Sequence, residues 1–277
     1  MDIYAEIVRL RQQGRAAALA TIIQVRGSIP AYETAKLLVR DDGTMMGTVG
    51  GGCVEADVWQ AARQVIEEQK PRRLNFQLNH PVEEGQGLIC GGALEVFIEP
   101  ILAQPVLIIC GGGHVGRALS QAAVLAGFDS VILDDRPAFA SRERFPEARD
   151  VFTGEYEALW PRLPLHSNSY LAIATRGHQD DLRLLRLALA SPVPARYIGM
   201  IGSRRKVIEI FRALAAEGVS DDALARVHAP IGLEIGAVTP EEIAAAIVAE
   251  MIAVRRQAPL AAIAPKRLTR LPSKQKE

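Results

Sequence analysis

The chain has 277 residues, 49% of them apolar and 23% charged, at zero formal net charge. This balance suits a soluble globular protein with room for two ordinary domains. Three cysteines, Cys53, Cys90 and Cys110, are too few and too scattered for a disulfide framework and form no C-x-x-C pair, so they read as free thiols. No stretch of eighteen uncharged apolar residues occurs, and "MDIYAEIVRL" has acids where a secretion signal needs a basic and then apolar start; a cytoplasmic protein without a membrane span is expected.

Residues 1–98 predict an α+β domain: a short opening helix, then the strand-like runs "AALATIIQVR", "AKLLVR", "RRLNFQL" and "ALEVFIE". "DDG" after "AKLLVR" is a turn signal with Gly43 free to take positive φ, which predicts a hairpin over residues 36–48. "GTVGGGCVEADVWQAARQVIEE" reads as a glycine turn followed by an amphipathic helix that begins near Cys53. A cysteine at a helix amino terminus is expected to have a stabilised thiolate, which suits soft-metal ligation or sulfur handling. Glu55 and Asp57 are helix-start acids, and Glu55 is also placed to orient a ligand. In "GLICGGALEVFIEP", Cys90 precedes Gly91 and Gly92, so two thiols beside glycine turns suggest one shared site, with Gly51 and Gly52 part of it and Cys53 its principal member. "EPILAQP" reads as a linker.

From residue 105 to 258 the rhythm changes to the apolar runs "VLIIC", "SVILDD", "YLAIAT" and "ARYIGMI", separated by helical segments, as in a parallel sheet covered by helices. "VLIICGGGHVGRALSQAAVLAG" places Gly111, Gly113 and Gly116 at G-x-G-x-x-G spacing between a strand and a helix, with His114 inside the turn. Such a turn lets a phosphate meet backbone N–H groups at a helix amino terminus, and an acid at the end of the next strand, Asp134 or its neighbour Asp135, accepts ribose hydroxyls. The alternative is a glycine turn with no ligand; Cys110 reads as a core thiol. Ligands in such sheets bind beyond the carboxyl ends of the strands, which draws in Arg176, His178, Asp180 and Asp181 after "YLAIAT", and Ser203, Arg204, Arg205 and Lys206 after "RYIGMI". Three cations at a helix start call for an anion to compensate the macrodipole, or else Arg205 pairs with Glu209 and the others are solvated. "TPEEIAAAIVAEMIAVRR" predicts a final helix with Thr239 and Glu242 as a capping box. The tail over 259–277 contains "PKRLTRLPSKQKE", with five cations against one acid, and reads as a disordered end; the remainder, slightly acidic, has no nucleic-acid footprint.

Taken together, "GTVGGGCVE", "GLICGGALEVFIEP", "VLIICGGGHVGRAL", "RYIGMIGSRRK" and "HAPIGLEIGAVTPEEIAAAIVAE" resemble the XdhC/CoxI family of xanthine dehydrogenase accessory factors. The resemblance implies an amino-terminal XdhC/CoxI domain, a Rossmann domain and a homodimer. It also implies that the protein binds molybdenum cofactor (molybdopterin), shelters it while a cysteine desulfurase exchanges an oxo ligand for sulfur, and passes it to a xanthine dehydrogenase-type molybdenum hydroxylase. Cys53 matches the cysteine of the family's "GGC", making it the implied sulfur contact to molybdenum, and Cys90 matches the "CGG". Where many members read G-S-x-P-R-x-x-G-A-K, this chain has Ala31 for the arginine and Thr34 for the glycine; Lys36 remains, and Arg26 is the nearest substitute cation. A competing reading is an NAD(P)-dependent oxidoreductase, with Asp134 on the ribose and His178 as acid or base.

Overall fold

The computed structural model describes residues 2–28, 32–78 and 91–259, which form two compact units. In the first, α1 (Ile3–Gln12) precedes β1 (Ala17–Ser28), β2 (Lys36–Arg40) and β3 (Met45–Gly47), then α2 (Gly52–Glu68), β4 (Arg72–Gln77) and β5 (Gly91–Ile101). The strands form an antiparallel sheet in the order β3-β2-β1-β5-β4. Side chains alternate across a pleat, and both faces here are used. Ala18, Ala20, Ile22, Leu37, Val39, Val96 and Ile98 pack with Val58, Ala62 and Val65 of α2, while Ala17, Leu19 and Leu38 pack with Leu10 of α1. The predicted hairpin is present, with Leu37 opposite Gly47 and Gly43 at φ 84°.

The segment read as a linker is strand as far as Ile101, which pairs with Ala17. β4 pairs with β5 only up to Ile98, so Pro100 lies past the end of β4. A strand tolerates a proline where its missing N–H faces no partner, so Pro100 sits within β5, while Pro105 lies in the short connection of residues 102–105 before β6. Thr34 sits at φ 73°, a left-handed conformation that a β-branched residue rarely adopts. That explains why glycine is usual at this position in the resembled family.

The second unit contains β6 (Val106–Cys110), α3 (His114–Leu125), β7 (Asp129–Asp134), β8 (Asp150–Thr153), α4 (Tyr156–Leu159), β9 (Ser169–Ile173), α5 (His178–Ala190), β10 (Tyr197–Met200), α6 (Arg204–Ala216), α7 (Asp221–Ala225), β11 (Val227–His228) and α8 (Pro240–Arg255). The sheet order is β11-β10-β9-β6-β7-β8. Counted from β6 as the first strand, this is the 3-2-1-4-5-6 order of a Rossmann sheet, with its switch point between β6 and β9. β6, β9 and β10 are buried along their whole length, as continuous apolar strands in a two-sided parallel sheet must be. Leu119 and Ala123 of α3 join Ile247 and Met251 of α8 in one core with Leu107, Ile109 and Tyr170. Thr239 and Glu242 form the capping box that the sequence announced.

Candidate functional site

Two glycine turns carry the sequence-predicted residues. In the first unit, Gly50, Gly51 and Gly52 stand at φ 112°, 76° and 61°. A Cβ at Gly51 or Gly52 would meet no atom within 4 Å, so the backbone conformation, and not crowding, demands glycine there. The turn is tied down by Glu55, whose Oε2 accepts from Thr48 Oγ1 at 2.7 Å, Gly51 N–H at 3.2 Å and Val49 N–H at 3.4 Å. Glu55 is therefore a brace for the turn. Cys53 follows as the second residue of α2, exposed and free. Cys90 and Ala31 lie outside the described residues, so the sharing of one site by two thiols rests on sequence. Among the described residues no three His, Cys, Asp or Glu side chains gather as a metal-binding group.

In the second unit the turn after β6 is part of the core. Gly111, at φ 119°, lies against the Ala174 carbonyl, and a Cβ there would overlap it. Gly112 lies against the Phe139 carbonyl and Gly116 against the Gly111 carbonyl in the same way. Gly113 differs: at φ −68° it is ordinary backbone, and a Cβ would meet no protein atom within 4 Å. Neither conformation nor protein packing requires glycine there, and the absence of a side chain leaves the first N–H groups of α3 open to approach. His114 is the first residue of α3 and is exposed. Cys110 is buried, and desolvation, aided by the Asp181 charge, pushes its thiol up to about 12, as an inert core thiol should behave.

Asp134, read from the sequence as a ribose acceptor, is 1% exposed and internally committed. Its carboxylate accepts from Gly112 N–H at 2.8 Å, from Arg136 N–H and Nε at 3.0 and 2.9 Å, and from Arg136 Nη2 at 3.0 Å. Burial opposes its ionisation, but the Arg136 guanidinium and the two backbone donors outweigh that and lower its pKa. Asp134 thus braces the turn, and no lone pair is left over for a ribose. Arg136 lies 3.7 Å from the Phe139 ring centroid, and Arg144 Nε donates to the Gly112 carbonyl at 3.0 Å. Sequence reasoning missed both arginines.

Around the neighbouring strand ends, Asp135 accepts from Arg176 Nη2 at 2.8 Å, and His178, the first residue of α5, is exposed. Ser203 caps α6, accepting from Lys206 N–H at 3.3 Å. Arg205 bonds Glu209 at 3.1 Å and Arg204 bonds Glu234 at 2.7 Å, with the arginines 90% and 80% exposed. This is the helix-pair alternative for Arg205, and the structure brings neither arginine to the glycine turn. The cation that turns inward is Lys206, paired with the fully buried Asp181, which also accepts from Thr175 Oγ1 at 2.6 Å. A second unforeseen cluster joins β10, β11 and α8: Glu250 accepts from Tyr197 Oη at 2.5 Å and Gly232 N–H at 2.9 Å, and contacts His228 Nδ1 at 3.2 Å. It clamps the segment after β11, with an Ala229–Pro230 cis peptide, onto the last helix.

An antiparallel α+β unit bearing a glycine-presented thiol, followed by a Rossmann unit whose glycine turn is open at Gly113, defines a two-unit α/β protein. The family described as the XdhC Rossmann domain matches residues 107–251, and the XdhC and CoxI family matches residues 10–77. The chain belongs to the XdhC/CoxI family. It is 36% identical over 260 residues to the Escherichia coli protein YqeB, described as uncharacterized; that match covers 94% of this chain but 47% of YqeB, so the chain spans about half the length of this relative. It is 23% identical to a Bacillus subtilis protein named as a probable xanthine dehydrogenase subunit, over 87% of this chain and 94% of that protein. It is also 23% identical to the Escherichia coli molybdenum cofactor insertion chaperone PaoD, over 90% and 86% respectively. A solved Bacillus halodurans structure described as a xanthine dehydrogenase shares the fold, with a TM-score of 0.51 at 24% identity, covering 95% of this chain and 98% of that one. Among the described residues no helix is long and apolar enough to cross a membrane.

Proposed function

We propose that the chain is a cytoplasmic molybdenum cofactor chaperone that shelters the cofactor during sulfuration and delivers it to a xanthine dehydrogenase-type molybdenum hydroxylase. The observation that carries this reading is Cys53: an exposed thiol at the start of α2, on a braced turn where a Cβ at Gly51 or Gly52 would meet no protein atom within 4 Å. A thiol so placed suits a soft metal centre brought by a ligand too large to tolerate side chains beside it. In this reading the cofactor is cargo and Cys53, with Cys90, is the sulfur contact to its metal; the turn at Gly113 is, by itself, a place for a phosphate group. The sulfur is supplied by a cysteine desulfurase, so this chain binds and protects without catalysing the exchange, and it works as a homodimer. Family membership and the likeness to PaoD support the reading.

The second reading, an NAD(P)-dependent oxidoreductase, is favoured by the Rossmann strand order and by Gly113. Purifying the protein after co-expression with cofactor biosynthesis, and measuring molybdenum, pterin and nicotinamide together, separates the two. Cys53→Ala is expected to lose most of the bound metal and pterin while its melting temperature stays unchanged, because the side chain is exposed. Undiminished metal and pterin in that variant would overturn the role given to the thiol, and nicotinamide alone would favour the oxidoreductase.

A further inference from the structure

α6 buries Val207, Ile210 and Leu214. A surface helix needs one such apolar stripe, and its other side is expected to be polar. α6 departs from that pattern. Ile208 is 49% exposed, and the half-buried Phe211 and exposed Ala215 follow it at helical spacing, so a second apolar stripe looks outward. With Leu224 and Ala225 of α7, this stripe lines an open groove of about 450 Å³. A helix that is apolar on two sides has room for a second partner.

The two ends of the groove carry opposite charge. At the amino end of α6, Arg204 and Arg205 are 80% and 90% exposed. The contact of Arg205 with Glu209 is a surface pair four residues apart, which is weak and readily exchanged. At the carboxyl end, Val219 N–H donates to the Leu214 carbonyl at 3.1 Å, which holds the connection to α7 against the last turn of α6. Ser220 then caps α7, so the exposed Asp221, which lines the groove, stands at that end.

A two-fold axis perpendicular to α6 sets two copies of the helix antiparallel, with each contact made twice. With the axis between Phe211 and Arg212, Ile208 of one copy faces the small Ala215 of the other. Arg205 stands about 10 Å before the axis at 1.5 Å per residue, so symmetry carries it as far beyond the axis along the second copy, level with Gly218 and beside Asp221. We propose that the α6–α7 groove is the interface of a homodimer, filled by α6 of a second copy of this chain, with Ile208 entering the groove and Arg205 pairing with Asp221 on each side of the axis. Basic end meets acidic end only in this antiparallel arrangement. The inference rests on the homodimer part of the function proposed above and names the surface that makes it.

Sedimentation equilibrium of the full chain tests it, with Ile208→Asp, Arg205→Asp, Asp221→Arg and the two charge reversals combined. All three positions are exposed, so each variant is expected to fold, which circular dichroism checks. The parent is expected to dimerise. Ile208→Asp places two unpaired carboxylates in the interface and should raise the dimer dissociation constant about a hundredfold or more. Each single reversal sets like charges together at both ends and should raise it about tenfold, and the combined reversals should return it to the parent value. A dimer undiminished in folded Ile208→Asp overturns this inference and leaves the function proposed above standing. Combined reversals that remain as weak as the single ones overturn the antiparallel pairing. A parent that sediments as a monomer overturns the interface and the homodimer together, while the metal and pterin content of Cys53→Ala reports on the cofactor role separately.

Discussion

The turn that carries Cys53 and the turn that follows β6 are both glycine-rich, both open a helix, and both are held by a carboxylate that reaches back to turn N–H groups: Glu55 in one, Asp134 in the other. They differ in what the glycines are for. Around Gly51 and Gly52 the backbone is left-handed and the space is empty; at Gly112 and Gly116 a neighbouring carbonyl fills the place of a side chain. The first turn is a surface arrangement that exposes a thiol, and the second is a piece of the core with one open glycine at its tip. Glycine spacing alone therefore does not say where a ligand goes; the identity of whatever occupies the missing Cβ does.

The largest expected effect lies in the buried brace. Asp134→Ala leaves the buried Gly112 N–H without an acceptor and takes from Arg136, 28% exposed, its closest carboxylate, and losing these charge-assisted bonds costs about 3 kcal/mol. Because the folded pKa of Asp134 lies below its ordinary value of 3.8, its contribution is complete above that value and is lost as pH falls through the folded pKa. Chemical denaturation at pH 7 is expected to show the full gap between parent and variant, and the gap narrows in a series taken below pH about 3.8. A small loss at neutral pH would mean that the two turns are braced alike, which would break the comparison.

Glu55→Ala tests the weaker brace. Its three acceptor contacts lie at a half-exposed surface where water replaces them, so about 1 kcal/mol is expected. Faster amide exchange should be confined to residues 48–52. A loss as large as that of Asp134→Ala would show the first turn to be core as well.

Much of this organisation was legible in the sequence, for physical reasons that also mark where reading stopped. Strand rhythm and the Thr239–Glu242 capping box are local, and each appears where expected. The choice between Asp134 and Asp135 is not local: consecutive residues at a strand end turn to opposite sides, and nothing in "DD" says which side is core. Lys206 was readable and missed. It stands four and eight residues before Ile210 and Leu214, both buried, so helical periodicity places it on the inward face, whereas Arg204 and Arg205 precede the exposed Ile208 and Glu209 by four. The Glu250 cluster joins residues far apart in the chain and left no local signature.

Thr34→Gly extends the comparison to a left-handed position in the first unit that lacks glycine. Relief of a left-handed β-branched residue gains roughly 1 to 2 kcal/mol, and the extra freedom of glycine in the unfolded chain returns roughly 0.5 to 1 kcal/mol. A net stabilisation of about 0.5 to 1 kcal/mol is expected, seen as a raised denaturation midpoint with unchanged slope. A destabilised Thr34→Gly protein would mean that the threonine contributes something its exposed position does not suggest.

The smallest effect on stability is expected where the effect on binding is greatest. Gly113 has φ −68°, which alanine adopts without strain, and its Cβ would meet no protein atom within 4 Å. Gly113→Ala is thus expected to leave the denaturation midpoint within about 0.5 kcal/mol of the parent, or to raise it slightly by restricting the unfolded chain. Gly51→Ala, at φ 76° and with equally open surroundings, is instead expected to cost about 1 kcal/mol, because there the backbone itself needs glycine. The same two proteins should part in the opposite sense when titrated with pyrophosphate: the methyl group at residue 113 stands where the phosphate must approach the α3 N–H groups, so affinity falls in Gly113→Ala and is retained in Gly51→Ala. Loss of stability in Gly113→Ala would show that protein packing, and not a ligand, holds that glycine. Unchanged pyrophosphate affinity in a stable Gly113→Ala protein would show that the open tip of the second turn receives no phosphate.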